Sequence, residues 1–486
     1  MIKNFDQQLE FLNSMNYVDD LVSFKPLIFI RKLKQHFDIT KYISDDFYSD
    51  YYHKAGKNRD YELHSILLAL LISNFFYIPS NKFLVFCLAI SQELRDFCGF
   101  GTSLPNESYF STFKSDFESH ITDFFNILAS SCVDMFSEYS DSLPVSNPEK
   151  QLSEMIIYDT SGFKPKVKEN NPKFVATEIK RAKTYAKKLS KDANPYAYAY
   201  SHLPKSASSN SSIVLDYVNG HYGYFYKFGM LTNGFGVPVG LHFFDESFYA
   251  NLPSDFDTPE SQKFAFDNAS LKPVLSNFAL SKKFTTFLGD SEFDSYDNFS
   301  YLKSEGFSKA IIPLNPRNSK LSNAVDFKVS YFGYPVCPKT NEPFINVGIC
   351  KGKNRSARIK YVCPKSFRPN KSSSAYSCSC IDKCRDTNST VTKYVYPDSD
   401  FRLNPGINRD DSNYDITYKI RATIERTISS VKSNPSIANP NTSKLSTMRA
   451  DLVLSCCTKV IISMLALALN KISCVRSVKK IINLIA

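Results

Sequence analysis

Apolar residues recur every three or four positions through the first third of the chain, which is the spacing of amphipathic helices. The pattern predicts three helices there, at 60–78, 81–98 and 107–136. Pro79 and Pro105 interrupt the pattern between them. We therefore expect a helical amino-terminal domain over 1–145, with a Pro/Ser-containing linker behind it.

Short apolar runs replace the helical spacing after residue 150, and they predict strands. These runs lie at 155–158, 222–231, 237–244, 284–288 and 310–314. Asn233-Gly234, between the second and third runs, is typical of a β-hairpin turn. Helical spacing recurs within and after the strand region, at the second half of 163–191 and at 294–304, 414–433 and 445–470, while 192–212 is expected to be irregular. The alternation predicts an α/β core in two parts, 150–316 and 405–475.

Basic residues concentrate in two stretches. Residues 161–191 contain ten Lys/Arg against two Glu, and residues 317–404 contain sixteen Lys/Arg against six Asp/Glu. The net charge of the whole chain is +11, so the rest of the chain is net negative. Local basic surfaces favour a polyanionic partner, although a basic run is more commonly a solvated face. We interpret 317–404, which separates the two parts of the core, as a basic insertion.

No segment is expected to enter a membrane. The start of the chain lacks the apolar stretch of a secretory signal. The apolar run 66–78 is too short to span a bilayer. The run 452–469 contains Lys459 and is better explained as a buried helix. We therefore expect a cytoplasmic protein whose twelve cysteines are reduced thiols or metal ligands.

Two aspartates occupy similar positions along the predicted strands. Asp159 follows the run 155–158, at the predicted end of that strand, and Asp290 follows the run 284–288 and Gly289. The carboxyl ends of strands are where α/β sheets usually place their sites. Either aspartate alone is more simply an ordinary strand-end or helix-capping residue. Asp294 is expected to cap the helix at 294–304.

A third carboxylate lies on the predicted helix 414–433. On a regular helix Tyr418, Arg421, Glu425 and Lys432 fall within a stripe about 60° wide. Alone, this pattern slightly favours a surface helix with an Arg421–Glu425 ion pair. Three carboxylates on two strands and a helix, however, are the ligands that a two-metal phosphoryl-transfer site needs, since Mg²⁺ prefers hard oxygen donors.

These residues resemble the insertion-sequence DDE transposases that carry the signature Y-x2-R-x3-E-x6-K. Tyr418, Arg421, Glu425 and Lys432 match its spacing without a gap. Residues 158–162 resemble the first Asp strand of the family, and 289–295 resemble the second. The resemblance implies an RNase H-like core in which Asp159, Asp290 and Glu425 bind two Mg²⁺ ions, which Mn²⁺ can replace. It also implies that Tyr418, Arg421 and Lys432 contact DNA at the element's ends.

The amino-terminal part resembles the helical domain that precedes this core in many such transposases. The residues that carry this resemblance are 84–91, 94–100 and 104–113. The expected fold is therefore an RNase H-like mixed sheet flanked by helices, an all-α domain before it for DNA binding or dimerisation, and a Cys-rich insertion ahead of the last catalytic helix. The implied partners are double-stranded DNA, both terminal inverted repeats and target, and a second copy of the chain on bacterial DNA.

Six cysteines lie within or near the insertion: Cys337, Cys350, Cys363, Cys378, Cys380 and Cys384. Four thiolates could form a structural Zn²⁺ site, because a small basic segment has little core of its own. The close spacings are C-x-C and C-x3-C rather than the usual C-x2-C. Free thiols therefore remain the alternative to zinc.

The sequence thus predicts a transposase that cleaves DNA at the element's ends and joins them to a target. Two alternatives stay open. One is an RNase H-like nuclease that cleaves without strand transfer, and the other is a catalytically inert DNA-binding protein derived from a transposase.

Overall fold

A computed structural model of the chain describes residues 25–52, 59–189, 202–218, 221–251, 259–315, 327–352, 355–367, 377–380, 390–397, 400–440, 442 and 444–485. The contacts divide these residues into two compact units. Unit 1 contains the described residues of Met1–Ser153, Ser161–Glu246 and Arg426–Ala486. Unit 2 contains those of Glu154–Thr160 and Ser247–Glu425.

Helices come first along the chain and return at its end. In order they are α1 (Lys25–His36), α2 (Asp45–Tyr52), α3 (Leu63–Phe75), α4 (Asn81–Ile90), α5 (Gln92–Cys98), α6 (Glu107–Asp116), α7 (Glu118–Asp141), α8 (Pro148–Ser153), α9 (Pro172–Leu189), α10 (Glu246–Ala250), α11 (Pro259–Ser276), α12 (Tyr296–Ser304), α13 (Ser412–Tyr418), α14 (Ala422–Lys432), α15 (Pro435–Ala438), α16 (Leu445–Ala468) and α17 (Val478–Ile485). The three helices predicted before residue 136 are confirmed, with breaks at Ser91 and Phe117.

Strands occupy the middle of the chain. In order they are β1 (Met155–Phe163), β2 (Ser206–Ala207), β3 (Asn210–Val218), β4 (His221–Asn233), β5 (Pro238–Phe243), β6 (Thr286–Leu288), β7 (Lys309–Ile311), β8 (Ile345–Gly352), β9 (Arg355–Val362), β10 (Ser366–Phe367), β11 (Ser377–Cys378) and β12 (Thr392–Val395). Parallel and antiparallel pairs both occur, so the protein is an α/β protein with a mixed sheet, as the sequence predicts.

The long helix α16 forms the centre of unit 1. It packs against α7, α6 and α3, and 18 of its 24 residues are buried. A buried ion pair, Lys114 Nζ to Asp451 Oδ1 at 2.6 Å, joins α6 to α16. Within the described residues α16 is the one helix long and apolar enough to cross a membrane, and 89% of its most apolar window is buried inside the fold. The prediction of a buried helix at 452–469 is confirmed.

Unit 1 also contains an antiparallel group of strands. β2 pairs with β3, β3 with β4, and β4 with β5. The β4–β5 connection contains Asn233-Gly234, so the predicted hairpin is confirmed. A Cβ atom at Gly234 would lie 2.6 Å from the carbonyl oxygen of Leu152, closer than van der Waals contact allows. Glycine at this position lets the turn approach the backbone that leads into β1.

Unit 2 contains a parallel group of strands. Residues 155–157 of β1 pair in parallel with β6, and β6 pairs in parallel with β7. Farther along the chain, β8, β9 and β12 form a separate antiparallel sheet over the predicted insertion. That sheet has its own small core: Phe327, Cys337, Phe344, Ile359, Tyr361, Cys363, Val395 and Leu403.

Four local predictions differ from the structure. β1 does not end at Asp159 but continues to Phe163. Within 192–212, expected to be irregular, β2 and the start of β3 are strands, while 190–201 lies outside the described residues. The predicted helix 414–433 is two helices joined by a 3-10 turn at Lys419–Arg421, so the signature residues do not share one regular helical stripe. Asp294 does not cap α12, because Ser295 occupies the N-cap position.

Asp294 instead forms a buried ion pair in unit 2. Arg402 donates Nε to Asp294 Oδ1 at 2.6 Å and Nη2 to Oδ2 at 2.7 Å. The backbone N–H of Asn315 donates to the same carboxylate at 2.7 Å. Arg409 in turn donates to the carbonyl oxygen of Arg402 at 2.8 Å. These bonds tie the end of the 317–404 segment to the loop that follows β6.

Candidate active site

The pairing of β1 with β6 brings two of the predicted carboxylates together. In the parallel register Ile157 is the partner of Leu288. Asp159 and Asp290 each lie two residues beyond these partners. Equal offsets from one paired position place both aspartates at the same edge of the parallel strands. Asp290 follows the end of β6 as predicted, whereas Asp159 lies within β1, two residues beyond its last parallel partner.

Backbone hydrogen bonds orient both carboxylates. The N–H of Thr160 donates to Asp159 Oδ1 at 2.9 Å. Asp290 is the N-cap of a 3-10 turn, Ser291–Phe293, and its Oδ1 accepts from the N–H of Ser291 at 2.6 Å. In each case one oxygen is held by the backbone, which fixes the side chain and leaves the other oxygen for a further partner.

Arg421 connects the second and third predicted carboxylates. Its Nη2 donates to Asp290 Oδ2, and its Nη1 donates to Glu425 Oε1. The Arg421 side chain is 15% exposed, while that of Glu425 is 53% exposed. Arg421 Nε is buried and has no hydrogen-bond partner within the described residues. The guanidinium therefore bonds both carboxylates through its two Nη atoms, while its Nε donor bonds neither.

Asp159 interacts electrostatically with Asp290 and Arg421. Burial raises the pKa of Asp159 to about 7, with the charge of Arg421 opposing the shift and that of Asp290 adding to it. For Arg421, burial lowers the pKa, but the carboxylates of Asp290 and Asp159 outweigh burial and place it above its usual range. Asp159 and Asp290 thus act on each other and on Arg421, all within unit 2.

Tyr418 belongs to this cluster. Its ring stacks on that of Tyr414, with centroids 6.4 Å apart and planes 11° from parallel. Burial, and then the charge of Asp290, raise the pKa of Tyr418 to about 12. The phenol therefore stays protonated at neutral pH, so it can donate a hydrogen bond.

Lys432, the last residue of the signature, lies in unit 1. Its Nζ donates to Ser161 Oγ at 3.1 Å, and burial lowers its pKa. Lys432 is thus bonded to the part of β1 that belongs to unit 1.

Asp267 is a fourth carboxylate of this region that the sequence did not indicate. It is buried on α11, and its Oδ1 accepts a hydrogen bond from the Thr160 hydroxyl. Its charge contributes to the raised pKa of Asp159. One turn later, Ser270 bonds the hydroxyl of Tyr158 at 2.7 Å. No motif surrounds Asp267, and only the packing of α11 against β1 identifies it.

The described residues contain no group of three His, Cys, Asp or Glu side chains positioned as they stand to hold a metal ion. In the acidic cluster Arg421 lies between Asp290 and Glu425. Among the candidate zinc ligands, Cys337 and Cys363 are buried in the core of the β8–β9–β12 segment, while Cys350, Cys378 and Cys380 are partly exposed. Cys384 lies outside the described residues. The zinc site stays a prediction.

Comparison with known proteins bears on the amino-terminal part. Residues 17–116 match the family model of a transposase domain (DUF772). The match covers 100 of the 486 residues and includes all three segments that carry the amino-terminal resemblance. It supports a transposase family for this chain and, through that family, DNA as the partner. No curated protein and no solved structure matched the chain.

Proposed function

We propose that this protein is a DDE transposase that cleaves DNA at the ends of an insertion element and transfers the freed 3′ ends to a target. The observation that carries the proposal is the coupling of Asp159, Asp290 and Glu425 to Arg421 within unit 2. These acidic groups come from two paired strands and one helix, far apart in sequence. Because like charges repel, bound cations would stabilise them further than Arg421 alone does. The transposase-domain match is independent support.

The fold is consistent with an RNase H-like core. Parallel strands β1, β6 and β7 and antiparallel strands β3, β4 and β5 make a mixed set, and β1 has residues in both units. Asp159 lies on β1, Asp290 directly follows β6, and Glu425 lies on α14. In this proposal the strands position two carboxylates and a helix brings the third.

The chemistry of these side chains suits divalent cations. Asp159, Asp290 and Glu425 offer only carboxylate oxygens, the donors that Mg²⁺ and Mn²⁺ prefer. Asp159 is partly buried beside Asp290, where its charge is costly unless a cation neutralises it. When bound, two such ions would activate the attacking oxygen and stabilise the leaving oxygen. Arg421 now supplies positive charge between Asp290 and Glu425.

The remaining signature residues would hold the DNA. Arg421 would neutralise the charge of a phosphate near the cleaved bond. Tyr418, protonated at neutral pH, would donate its hydroxyl to a phosphate or stack on a base. Lys432 would neutralise a neighbouring phosphate.

The test uses duplexes made from the inverted repeats that flank the gene, with supercoiled plasmid as the target. We expect Mg²⁺-dependent joining of 3′ ends to the plasmid by the wild-type protein. Asp159→Asn, Asp290→Asn and Glu425→Gln should each lower cleavage by roughly a thousandfold while sparing end binding. Asp415→Asn, an exposed aspartate on α13, is the matched control and should cleave normally.

The outcomes separate the alternatives. Cleavage without joining would support a nuclease, and binding without cleavage would support an inert DNA-binding protein. Retained cleavage in Asp159→Asn would remove Asp159 from the site. Mass measurement by light scattering on end DNA tests the proposed dimer, and metal analysis of the purified protein tests the proposed zinc at the six cysteines.

A further inference from the structure

A cavity of about 240 Å³ lies in unit 1, between α14, the middle of α16 and the residues after α16. Three cationic side chains line it: Arg426, Lys459 and Arg476. Three hydroxyl groups share the lining: Thr427, Ser430 and Ser463. Lysines and arginines of a folded protein normally lie apart or beside carboxylates. Here the other lining residues are Gly236, Val237 and Val475, so no acidic residue lines the cavity.

Lys459 is the most unusual member of this set. It interrupts the apolar sequence of α16, where its neighbours Thr458 and Val460 are buried. Its Nζ donates to Ser430 Oγ at 2.7 Å. In the part of the chain that the structure describes, neither Lys459 nor Arg476 forms an ion pair with an Asp or Glu. Burying part of a cation without a counter-ion raises the free energy of the folded protein, and a bound anion would offset that increase.

The two arginines increase the positive charge at the rim. Both are exposed, so a ligand could reach them from solvent. Burial of part of Arg476 lowers its pKa, and the nearby charge of Arg426 lowers it further. An anion bound near both guanidinium groups would relieve this repulsion.

The pKa of the Tyr77 hydroxyl reports on the electrostatic surroundings of Lys459. Burial by itself raises the pKa of the Tyr77 hydroxyl, but the charge of Lys459 and hydrogen bonds from Ser430 and Ser433 outweigh burial and lower it. The charge of Lys459 and the neighbouring hydroxyl groups therefore stabilise negative charge on a nearby oxygen.

We propose that this cavity is an anion site in which Lys459, Arg476 and Arg426 bind a phosphate group. The volume accommodates one phosphate with its first waters, since a water occupies about 30 Å³ of liquid. Arginine suits this role because its planar fork matches phosphate oxygens. The group could be free phosphate or a backbone phosphate of DNA, and the second source rests on the proposed function.

The experiment is calorimetric titration of the full chain with inorganic phosphate at low ionic strength. The wild-type protein should bind it, and affinity should fall with added salt. Lys459→Met, an apolar residue of similar length within an apolar helix, and Arg476→Gln at the rim should each weaken binding by about tenfold or more. Lys479→Gln, exposed and outside the cavity, is the matched control and should bind as the wild type does.

Arg476→Gln keeps the test valid if Lys459→Met fails to fold, because Arg476 is exposed. Absence of phosphate binding in the wild-type protein, or equal binding by Arg476→Gln, overturns the proposal. Competition identifies the source: if duplex DNA displaces phosphate, the site binds backbone phosphate, and if both bind together, it binds free phosphate. Neither result depends on strand cleavage, so the anion site and the transposase activity can fail separately.

Discussion

Arg421 donates a hydrogen bond to Asp290 across 131 residues of sequence, and through its other Nη atom it also holds Glu425. The arginine thus fixes the relative positions of two carboxylates that the proposed chemistry requires. Its charge also makes tolerable a concentration of acidic groups that would otherwise repel one another. In the proposed site Arg421 would therefore matter as much as the carboxylates do.

The first prediction concerns this arginine. Arg421→Lys keeps the positive charge but cannot bond two carboxylates with a planar fork. We expect strand cleavage to fall by about 100-fold, a loss of the size seen when one preorganised donor is removed. Single-turnover cleavage of end DNA measures it. Arg31→Lys, which alters the exposed Arg31–Glu93 pair, is the control. Equal cleavage by Arg421→Lys and wild type would contradict the role given to the guanidinium.

The second prediction concerns the buried pair of Asp294 and Arg402. Arg402→Met removes the cation and leaves the Asp294 carboxylate buried, with the Asn315 N–H among its remaining partners. Breaking a buried pair in this way costs about 3–5 kcal/mol. Urea unfolding followed by circular dichroism measures the free energy of unfolding. Asp297→Asn, in an exposed pair 3.9 Å from Lys272, should change it by less than about 1 kcal/mol. A small loss in both variants would mean that the buried pair is dispensable.

Arg421 and Arg402 differ in whether their contacts could be predicted from the sequence. The relation of Arg421 to Glu425 follows from four-residue spacing, and the likeness of Asp159 and Asp290 follows from matching strand contexts. Asp267 and the Asp294–Arg402 pair have no such local signal, because their partners are 107 and 108 residues away. Only the packing of α11, and of the segment before α13, brings them into place.

The 3-10 turn at Lys419–Arg421 could not be predicted from the sequence. A continuous helix over 414–433 was expected because its apolar spacing is regular. Instead the 3-10 turn at Lys419–Arg421 changes the rotation per residue just before Glu425. The Arg421–Glu425 bond forms nonetheless, since both helix types bring residues a turn apart close together. The signature residues could be identified from the sequence, whereas their positions around the helix axis could not.

The third prediction concerns Gly406, which precedes α13. Its φ is +78°, and a Cβ there would lie 2.1 Å from the carbonyl oxygen of Ser308. Gly406→Ala therefore combines a left-handed backbone with a steric clash. Gly306→Ala is the matched control, because its φ is +94° but its surroundings are open. We expect about 1 kcal/mol of destabilisation at Gly306 and clearly more at Gly406. Equal losses in thermal unfolding would show that the backbone next to Gly406 moves aside.

The last prediction concerns the pH dependence of stability through His242 on β5. Burial lowers the pKa of His242; Asp245 opposes this shift and Arg449 adds to it. In the unfolded chain the imidazole has its ordinary pKa of about 6.5. Above that pH the ring is neutral in both states and contributes nothing to the pH dependence. As the pH falls below 6.5, the unfolded chain binds the proton more readily, so the free energy of unfolding decreases.

The decrease continues until the pH reaches the lowered pKa of the folded protein, with a slope of at most about 1.4 kcal/mol per pH unit. His242→Gln removes the ionisable ring, so its urea-unfolding free energy should fall less than that of the wild type between pH 7 and pH 5. His202→Gln, at an exposed position, serves as the control and should follow the wild type. If His242→Gln loses stability on acidification as steeply as the wild type does, protonation of His242 is not what destabilises the fold. The sign is decisive here, because a histidine stabilised by Asp245 alone would make the wild type gain stability over the same range.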